Sequence, residues 1–346
     1  MIGDMRKRER QRTGGRLARL RCPVTWLIVG VWVAWSLAWV AMAVGGGPWY
    51  AIDIGLAYQA QALGLGAALL VWCAAWRQWR AAAVVAVSVA VGAGPMVVGR
   101  SPMTPGVDLG SPPADGTVRI VSANIDPENE RWREDLEQIF AWHPDVVVLI
   151  ETSPDFWRRV VRDGELLGTE WVNHERRFWV DEITSPCSVL SRWALERIDY
   201  PEIPDADRDV LIARVEHPAG TFLVGAIHPH SPRTLDRWRR GNDQMRTTAD
   251  AIGRVLSAND ESLVMGTDLN SGPAGWRAGL LRRSGLGMSK PLTGGSGSFP
   301  AGATALLRVQ LDDVWCSAGV VVRAWSSPGG LSSDHRAVVV DVSLTE

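Results

Sequence analysis

Net charge and cysteine are both scarce in this chain of 346 residues. Its 36 lysines and arginines meet 38 aspartates and glutamates, leaving a net charge of −2. That balance excludes a basic nucleic-acid coat and an acidic disordered tail. The four cysteines, Cys22, Cys73, Cys187 and Cys316, show no zinc-ligand spacing. A disulfide between Cys187 and Cys316 stays open in an oxidising compartment, with two buried thiols the favoured alternative. Internal repeats of 20–50 residues are absent too, which excludes a solenoid. What is present is apolar: 46% of residues are hydrophobic and 21% charged. Such a chain buries a large core, is not disordered, and has length for about two domains.

The charge is unevenly spread. Residues 1–99 carry ten basic and three acidic side chains, a segment of +7, whereas residues 100–346 carry 26 and 35, a segment of −9. An Arg-rich leader over residues 1–23 precedes three uncharged apolar stretches at 24–44, 54–76 and 81–98. The first has no charge over 21 residues, enough to cross a hydrocarbon core of ~30 Å. Gln59 and Gln61 weaken the second, and the third is rich in small residues, as closely packed membrane helices are. The competing interpretation is a signal peptide cleaved near Ala41-Met42-Ala43, followed by soluble helices. A three-helix transmembrane anchor accounts for all three stretches. With positive charge kept inside, the leader and the Arg77/Arg80 turn lie in the cytoplasm. Residues 117–346 then lie outside the cytoplasm, in a multi-pass protein of the cell membrane. If the Gln-containing stretch does not cross, the same domain faces inward. Residues 100–116, with Pro102, Pro105, Pro112 and Pro113, form a linker too proline-rich for a helix or central strand.

Beyond the linker, strand and helix patterns alternate. Strands are expected at 117–123, 146–150, 187–191, 210–215, 222–227, 262–266, 310–315, 320–325 and 337–342. Helices are expected at 132–142, 155–161 and 233–256, giving an α/β domain of layered sheets.

Polar residues gather where those strands end. Asn124, Glu151, His228, Asp268, Asn270, Asp312, Asp334 and His335 each lie within a residue or two of a predicted strand terminus. Singly, each has an ordinary explanation as a cap, turn former or satisfied histidine. Collectively they supply oxygen ligands and two imidazoles without cysteine, a set suited to Mg²⁺ or Mn²⁺ beside a phosphate.

In order and spacing, these segments resemble the endonuclease/exonuclease/phosphatase superfamily, the deoxyribonuclease-I-like fold. VRIVSANI and VVLIE resemble its first two motifs, and VGAIHPHSP its mid-chain His motif. VMGTDLN is similar to its Gly-Asp-Phe-Asn motif, LDDVW to its late Asp motif and SSDH to its Ser-Asp-His terminus. SVLSR is similar to a further family strand with no chemistry assigned. Thr267 replaces the usual Gly and Leu269 the usual Phe, and the pair Asp312/Asp313 leaves a one-residue ambiguity. Preceded by three apolar stretches, the domain also looks like the membrane-anchored VanJ-type subgroup.

The resemblance implies a four-layer α/β/β/α sandwich of two packed mixed sheets. It implies a metal-dependent hydrolase of phosphate ester or anhydride bonds, with Mg²⁺ (or Mn²⁺) held by Glu151, Asn124 and Asp334. Asp268 would orient or deprotonate the attacking water, and Asn270 would hold a phosphate oxygen or the metal's ligand sphere. His335 would donate to the transition state with Asp312 fixing its tautomer, and His228 would donate from the other face. Asp126 is a further candidate ligand or a turn former. His230 is assigned to a loop, and the run Arg237-Trp238-Arg239-Arg240 to a polyanion grip or a solvated helix face. A net −9 domain whose sole lysine is Lys290 lacks the field expected for nonspecific nucleic-acid binding. The tether favours a lipid-linked phosphate or pyrophosphate at the bilayer, with an extracytoplasmic nuclease or an inactive surface binding module as alternatives.

Overall fold

The structure is a computed structural model that describes residues 23–38, 40, 49–97, 103–152, 187–197, 210–258, 260–292, 294–295 and 297–345. The expected leader and the helix expected at 155–161 lie outside the described residues. By internal contacts the chain divides into two units, Met1–Ile52 with Gln59–Pro95, and Asp53–Tyr58 with Met96–Glu346.

Most of the first unit is made by apolar helices α1 (Pro23–Ala38), α2 (Tyr50–Ala75, through a 3-10 turn at Leu56–Tyr58) and α3 (Trp79–Val97), of which Asp53–Tyr58 and the last two residues of α3 belong to the second unit. Val29, Cys73, Ala81, Ala82 and Val85 form its small core. Gly66 is required where helices meet, because a Cβ there would lie 2.6 Å from the Trp32 ring. Gln59 interrupts the apolar run yet is satisfied, donating to the Gly92 carbonyl at 2.9 Å. Among the described helices, Tyr50–Ala75, with 26 residues and a mean hydropathy of 1.5, alone is long and apolar enough to cross a membrane. The described parts of the first and third expected spans are shorter apolar helices, Pro23–Ala38 and Trp79–Gly94. The three-helix anchor is therefore not shown as such: the described residues contain three apolar helices, of which one has spanning length.

The second unit alternates as expected. In chain order it comprises β1 (Val118–Asn124), α4 (Trp132–Ala141), β2 (Val146–Ile150), β3 (Cys187–Ser191), β4 (Ala194–Arg197), β5 (Val210–His217) and β6 (Gly220–Ile227). It continues with α5 (Leu235–Ala258), β7 (Leu263–Asp268), α6 (Trp276–Arg283), β8 (Gly287–Met288), β9 (Asp312–Cys316), β10 (Val320–Ser326) and β11 (Val338–Leu344). The short β4, β8 and α6 were not expected. β4 and β8 are too brief for a period to show, and α6 carries apolar and arginine side chains on all sides.

Two mixed sheets result, ordered β10-β11-β1-β2-β3 and β4-β5-β6-β7-β9-β8. Within them β1–β2 and β6–β7 run parallel, and the other pairs antiparallel. Alternation along the strands sets the layers. Val146, Val148 and Ile150 face the core between the sheets, which they share with Ala213, Phe222, Val224 and Val264. Val147 and Leu149 face the other way, onto Leu136 and Ile139 of α4. Leu223, Leu263 and Met265 of the second sheet likewise meet Met245 and Ile252 of α5 and Leu281 of α6. This is the α/β/β/α order. Cys187 and Cys316 are both buried in the inter-sheet core and form no disulfide.

The expected linker is not a free tether over its described part. Residues 103–116 form no helix or strand, as their prolines require. They nevertheless pack on β10: the Pro105 carbonyl accepts from Trp325 N at 2.9 Å, and Val107 N donates to Ser326 Oγ at 2.8 Å.

Candidate active site

The two sheets approach closely at Gly266. A Cβ there would lie 2.7 Å from Ser122 Oγ and 2.7 Å from Val148 Cγ1. This approach brings the carboxyl ends of β1 and β7 together, so that Asn124 Nδ2 donates to Asp268 Oδ2 at 3.0 Å. Since β1/β2 and β6/β7 are the parallel pairs, Asn124, Glu151, His228 and Asp268 all emerge at one edge of the sandwich. The antiparallel β9 and β11 begin where their neighbours end. Asp312 accordingly pairs in register with Asp268, and His335 stands just before β11.

Local backbone supports the same edge. Glu151, Asp126 and Asn270 have φ of 61°, 58° and 48°. Non-glycine residues seldom occupy that left-handed region, and such strain collects at functional sites.

Asp268 is 1% exposed and accepts hydrogen bonds from Asn270 N at 2.8 Å and from Asn124. Burial pushes its carboxyl pKa up, but the nearby His335 and His228 and those hydrogen bonds outweigh it and hold the group below the ordinary carboxylate range. Asp268 is therefore an anion at neutral pH. His228 Nε2 stands 3.1 Å from Glu151 Oε1 and 3.2 Å from Asn270 Nδ2. The Asn270 amide also donates to the Pro229 carbonyl at 3.2 Å.

His335 Nδ1 lies 2.8 Å from Asp312 Oδ2. Burial works to lower the His335 pKa, while Asp312, Asp268 and the hydrogen bond to Asp312 raise it to about 10. Its Nε2 faces Asp268 Oδ2 at 3.8 Å, so a charged donor and an anionic acceptor look onto one point. Burial raises the Asp312 carboxyl, and Asp312 Oδ1 is a buried acceptor with no partner among the described residues. Asp334 is more open than these and lines the same cleft. Burial, and after it the charges of Asp126 and Glu151, raise its carboxyl against the opposing effect of His335.

Two groups of metal-capable side chains arise among the described residues. Glu151, His228 and Asp268 form one and Asp268, Asp312 and His335 the other, each with ligand atoms within 4.8 Å of one another. Carboxylates and imidazoles without thiolate fit a hard divalent cation, and the acids that repel Asp334 would be relieved by one. Glu151 is one of these metal-capable side chains. Asn124 spends both side-chain atoms on protein partners, its Oδ1 accepting from Asp126 N at 3.1 Å. Asp126 acts as a turn former, its Oδ1 accepting from Glu128 N at 3.0 Å, and it also lines the cleft.

The cleft encloses about 800 Å³. Arg233 and Arg237 also line it, and Arg237 Nε is buried with no partner among the described residues. The run 237–240 divides between both expectations. Arg237 faces the cleft, Trp238 is buried, and exposed Arg240 pairs with Asp236 at 3.1 Å. His230 lies in a loop and outside the cleft lining.

Several contributors were not anticipated. Ser298 Oγ accepts from Asp312 N at 3.1 Å, Ser333 Oγ accepts from His335 N at 3.0 Å, and the Phe299 ring lies 4.8 Å from the His335 ring. Only Ser333 carried a signal, as part of SSDH. The others reach the site across long separations in the chain.

Comparison with known proteins agrees with this fold. Similar folds include an endonuclease/exonuclease/phosphatase from Bacteroides vulgatus (TM-score 0.52, 17% identity, 66% of this chain and 99% of that one). They also include the Bacteroides thetaiotaomicron mannosyl-6-phosphatase Bt3783 (TM-score 0.51, 12% identity, 66% and 100%). A humanized D. rerio TDP2 is similar as well (TM-score 0.50, 15% identity, 66% and 100%). Among curated proteins, no sequence matches the chain. Residues 121–335, which run from β1 to His335 and hold every side chain just described at the strand ends, match the Endonuclease/Exonuclease/phosphatase family, and the chain belongs to it.

Proposed function

We propose that the protein is a membrane-anchored, divalent-metal-dependent phosphohydrolase that acts outside the cytoplasm on a lipid-linked phosphate or pyrophosphate. Members of the family hydrolyse phosphoester bonds and commonly use divalent metals. The observation that carries the reading is the facing pair of Asp268, anionic and buried, and His335, held protonated by Asp312.

Glu151, with Asp334 beside it and Asn124 behind, would hold Mg²⁺ or Mn²⁺, and His228 lies within reach of the same ion. A bound cation supplies charge neutralisation and orientation at the phosphoryl oxygens. Asp268 accepts the proton of an attacking water and orients its lone pair. Asn270, fixed by the Pro229 carbonyl and by its own bond to Asp268, offers its amide to a phosphoryl oxygen. His335 donates from Nε2 to charge that grows in the transition state. Such preorganised donors are worth ~10²–10³ in rate each. Arg233 and Arg237 add positive charge to the same cleft for an anionic substrate.

The membrane part of the reading rests on the three apolar helices, the Arg-rich leader and the division of charge between +7 and −9 segments. In that respect the chain looks like the VanJ-type subgroup. The −9 charge disfavours nucleic acid as substrate.

The test uses the full-length protein in detergent with Mg²⁺ or Mn²⁺, offered a polyprenyl pyrophosphate, sphingomyelin, an inositol phosphate and plasmid DNA. Turnover of the lipid substrates that vanishes in Asp268→Ala supports the reading. Turnover of DNA alone makes the protein a nuclease, and turnover of none leaves a surface binding module.

A further inference from the structure

Asp53 is a carboxylate inside an apolar sequence, and it is 4% exposed. Burying such a group is costly without donors. Asp53 Oδ2 accepts from Trp238 Nε1 at 2.8 Å, and Oδ1 accepts from Trp276 N at 2.8 Å. Trp276 opens α6, whose N-cap, Gly275, has no side chain to offer. Asp53 therefore caps α6 from a distant part of the chain, satisfying an orphan N–H and meeting the positive end of the helix dipole.

The next residue on α6 is Arg277, 1% exposed. Its Nη1 donates to the Leu269 carbonyl at 2.8 Å and its Nε to Asn242 Oδ1 at 2.9 Å. Leu269 is the residue between Asp268 and Asn270. Burial lowers the guanidinium to about 10, opposed by the charges of Asp53 and Asp268, so Arg277 stays charged at neutral pH. The chain around Asp53 is seated equally closely. A Cβ on Gly272 would lie 2.6 Å from Ala57 Cα and 2.8 Å from the Leu56 carbonyl oxygen. Asp53, Ile54, Ala57 and Tyr58 also line the catalytic cleft.

We propose that Asp53 and Arg277 are a positioning pair: Asp53 sets the start of α6, Arg277 clamps Leu269, and Asp268 and Asn270 are thereby held in register. The short segment Asp53–Tyr58, covalently continuous with the apolar helix Gln59–Ala75, is on this account a working part of the active site. The proposal rests on the phosphohydrolase reading only for what the clamp serves, since the clamp itself is measurable without turnover.

The experiment compares the full-length wild type with Asp53→Ala, Asp53→Asn, Arg277→Met and Arg277→Lys. Hydrogen–deuterium exchange is followed by mass spectrometry over peptides spanning 263–277, with β1 and β2 as internal references. In Asp53→Ala and both Arg277 variants, exchange at 268–277 is expected to rise about tenfold, the scale of one lost hydrogen bond to a charged group, with β1 and β2 unchanged. Asp53→Asn keeps an acceptor for Trp276 N and recovers most of the protection. In parallel, kcat for bis(p-nitrophenyl) phosphate falls about tenfold at unchanged KM, with the same recovery in Asp53→Asn. Unchanged exchange at 268–277 in the Arg277→Lys protein, or a rise spread equally over β1 and β2 in every variant, overturns the proposal. A wild type that hydrolyses no phosphate ester overturns the functional reading instead, and the exchange result still decides the clamp.

Discussion

His335 Nδ1 and Asp312 Oδ2 are 2.8 Å apart, although 23 residues separate them in the chain. The pair leaves Nε2 of the imidazole directed at the cleft as a donor. Removing the carboxylate with Asp312→Asn should bring the His335 pKa down from about 10 toward the ordinary histidine value. Activity that needs the protonated ring is lost as pH rises through that value. The alkaline limb of kcat/KM is therefore expected to shift down by about a unit or more, and a pH–rate profile checks it. The same raised pKa has a stability counterpart. Stabilisation from the pair is complete below about 6.5, the unfolded value, and fades as pH rises through about 10.

Glu151 faces His228 Nε2 at 3.1 Å and belongs to a metal-capable group. Glu151→Gln keeps its shape and removes its charge. Mn²⁺ affinity, read by isothermal titration calorimetry, is expected to fall on the order of 10–100-fold, with thermal stability of the metal-free protein little changed. Equal Mn²⁺ affinity in variant and wild type would remove Glu151 from the ligand set.

Arg119, 1% exposed on β1, forks onto Asp341 of β11 through bonds of 2.7 and 2.9 Å and also serves the Trp142 and Ser111 carbonyls. Arg119→Met leaves Asp341 as an uncompensated buried charge. The expected cost is about 3–5 kcal/mol, seen as a Tm drop of roughly 10 °C by calorimetry. Adding Asp341→Leu to the same chain should restore part of the loss, because the orphaned charge goes with it.

Topology follows from charge rather than from contacts. On the proposed three-span topology, alkaline phosphatase fused after residue 116 is expected to be active, since an odd number of spans would carry that point out of the cytoplasm. An inactive fusion beside an active cytoplasmic reporter would place the domain inside the cell.

Much of the second unit was legible because its physics is local. Val146–Ile150 and Cys187–Ser191 form the strands expected for them, residue for residue, as β-branched or small runs bounded by polar residues. The strand-end residues were visible for a related reason: polar side chains stop an apolar strand at its exit from the core. All eight come into one hydrogen-bonded or ion-paired set around Asp268, the more open Asp334 joining it through His335 Nε2 at 3.8 Å. Asp53 was opaque. In the sequence it merely precedes an apolar stretch, and its partners Trp238 and Trp276 lie some two hundred residues away. The proline-rich segment was half legible, because proline forbids regular structure without saying whether the backbone will pack.

The near-zero net charge dissolved, in sequence alone, into a basic apolar part and an acidic folded part, and the alternation of strand and helix set the fold class. Those properties depend on neighbours along the chain. Which carboxylate is anionic, which imidazole carries a proton, and which distant residue caps α6 were decided only by tertiary structure. Each depends on burial and on charges a few ångströms away, and the close approach of the two sheets at Gly266 is what brings those charges together.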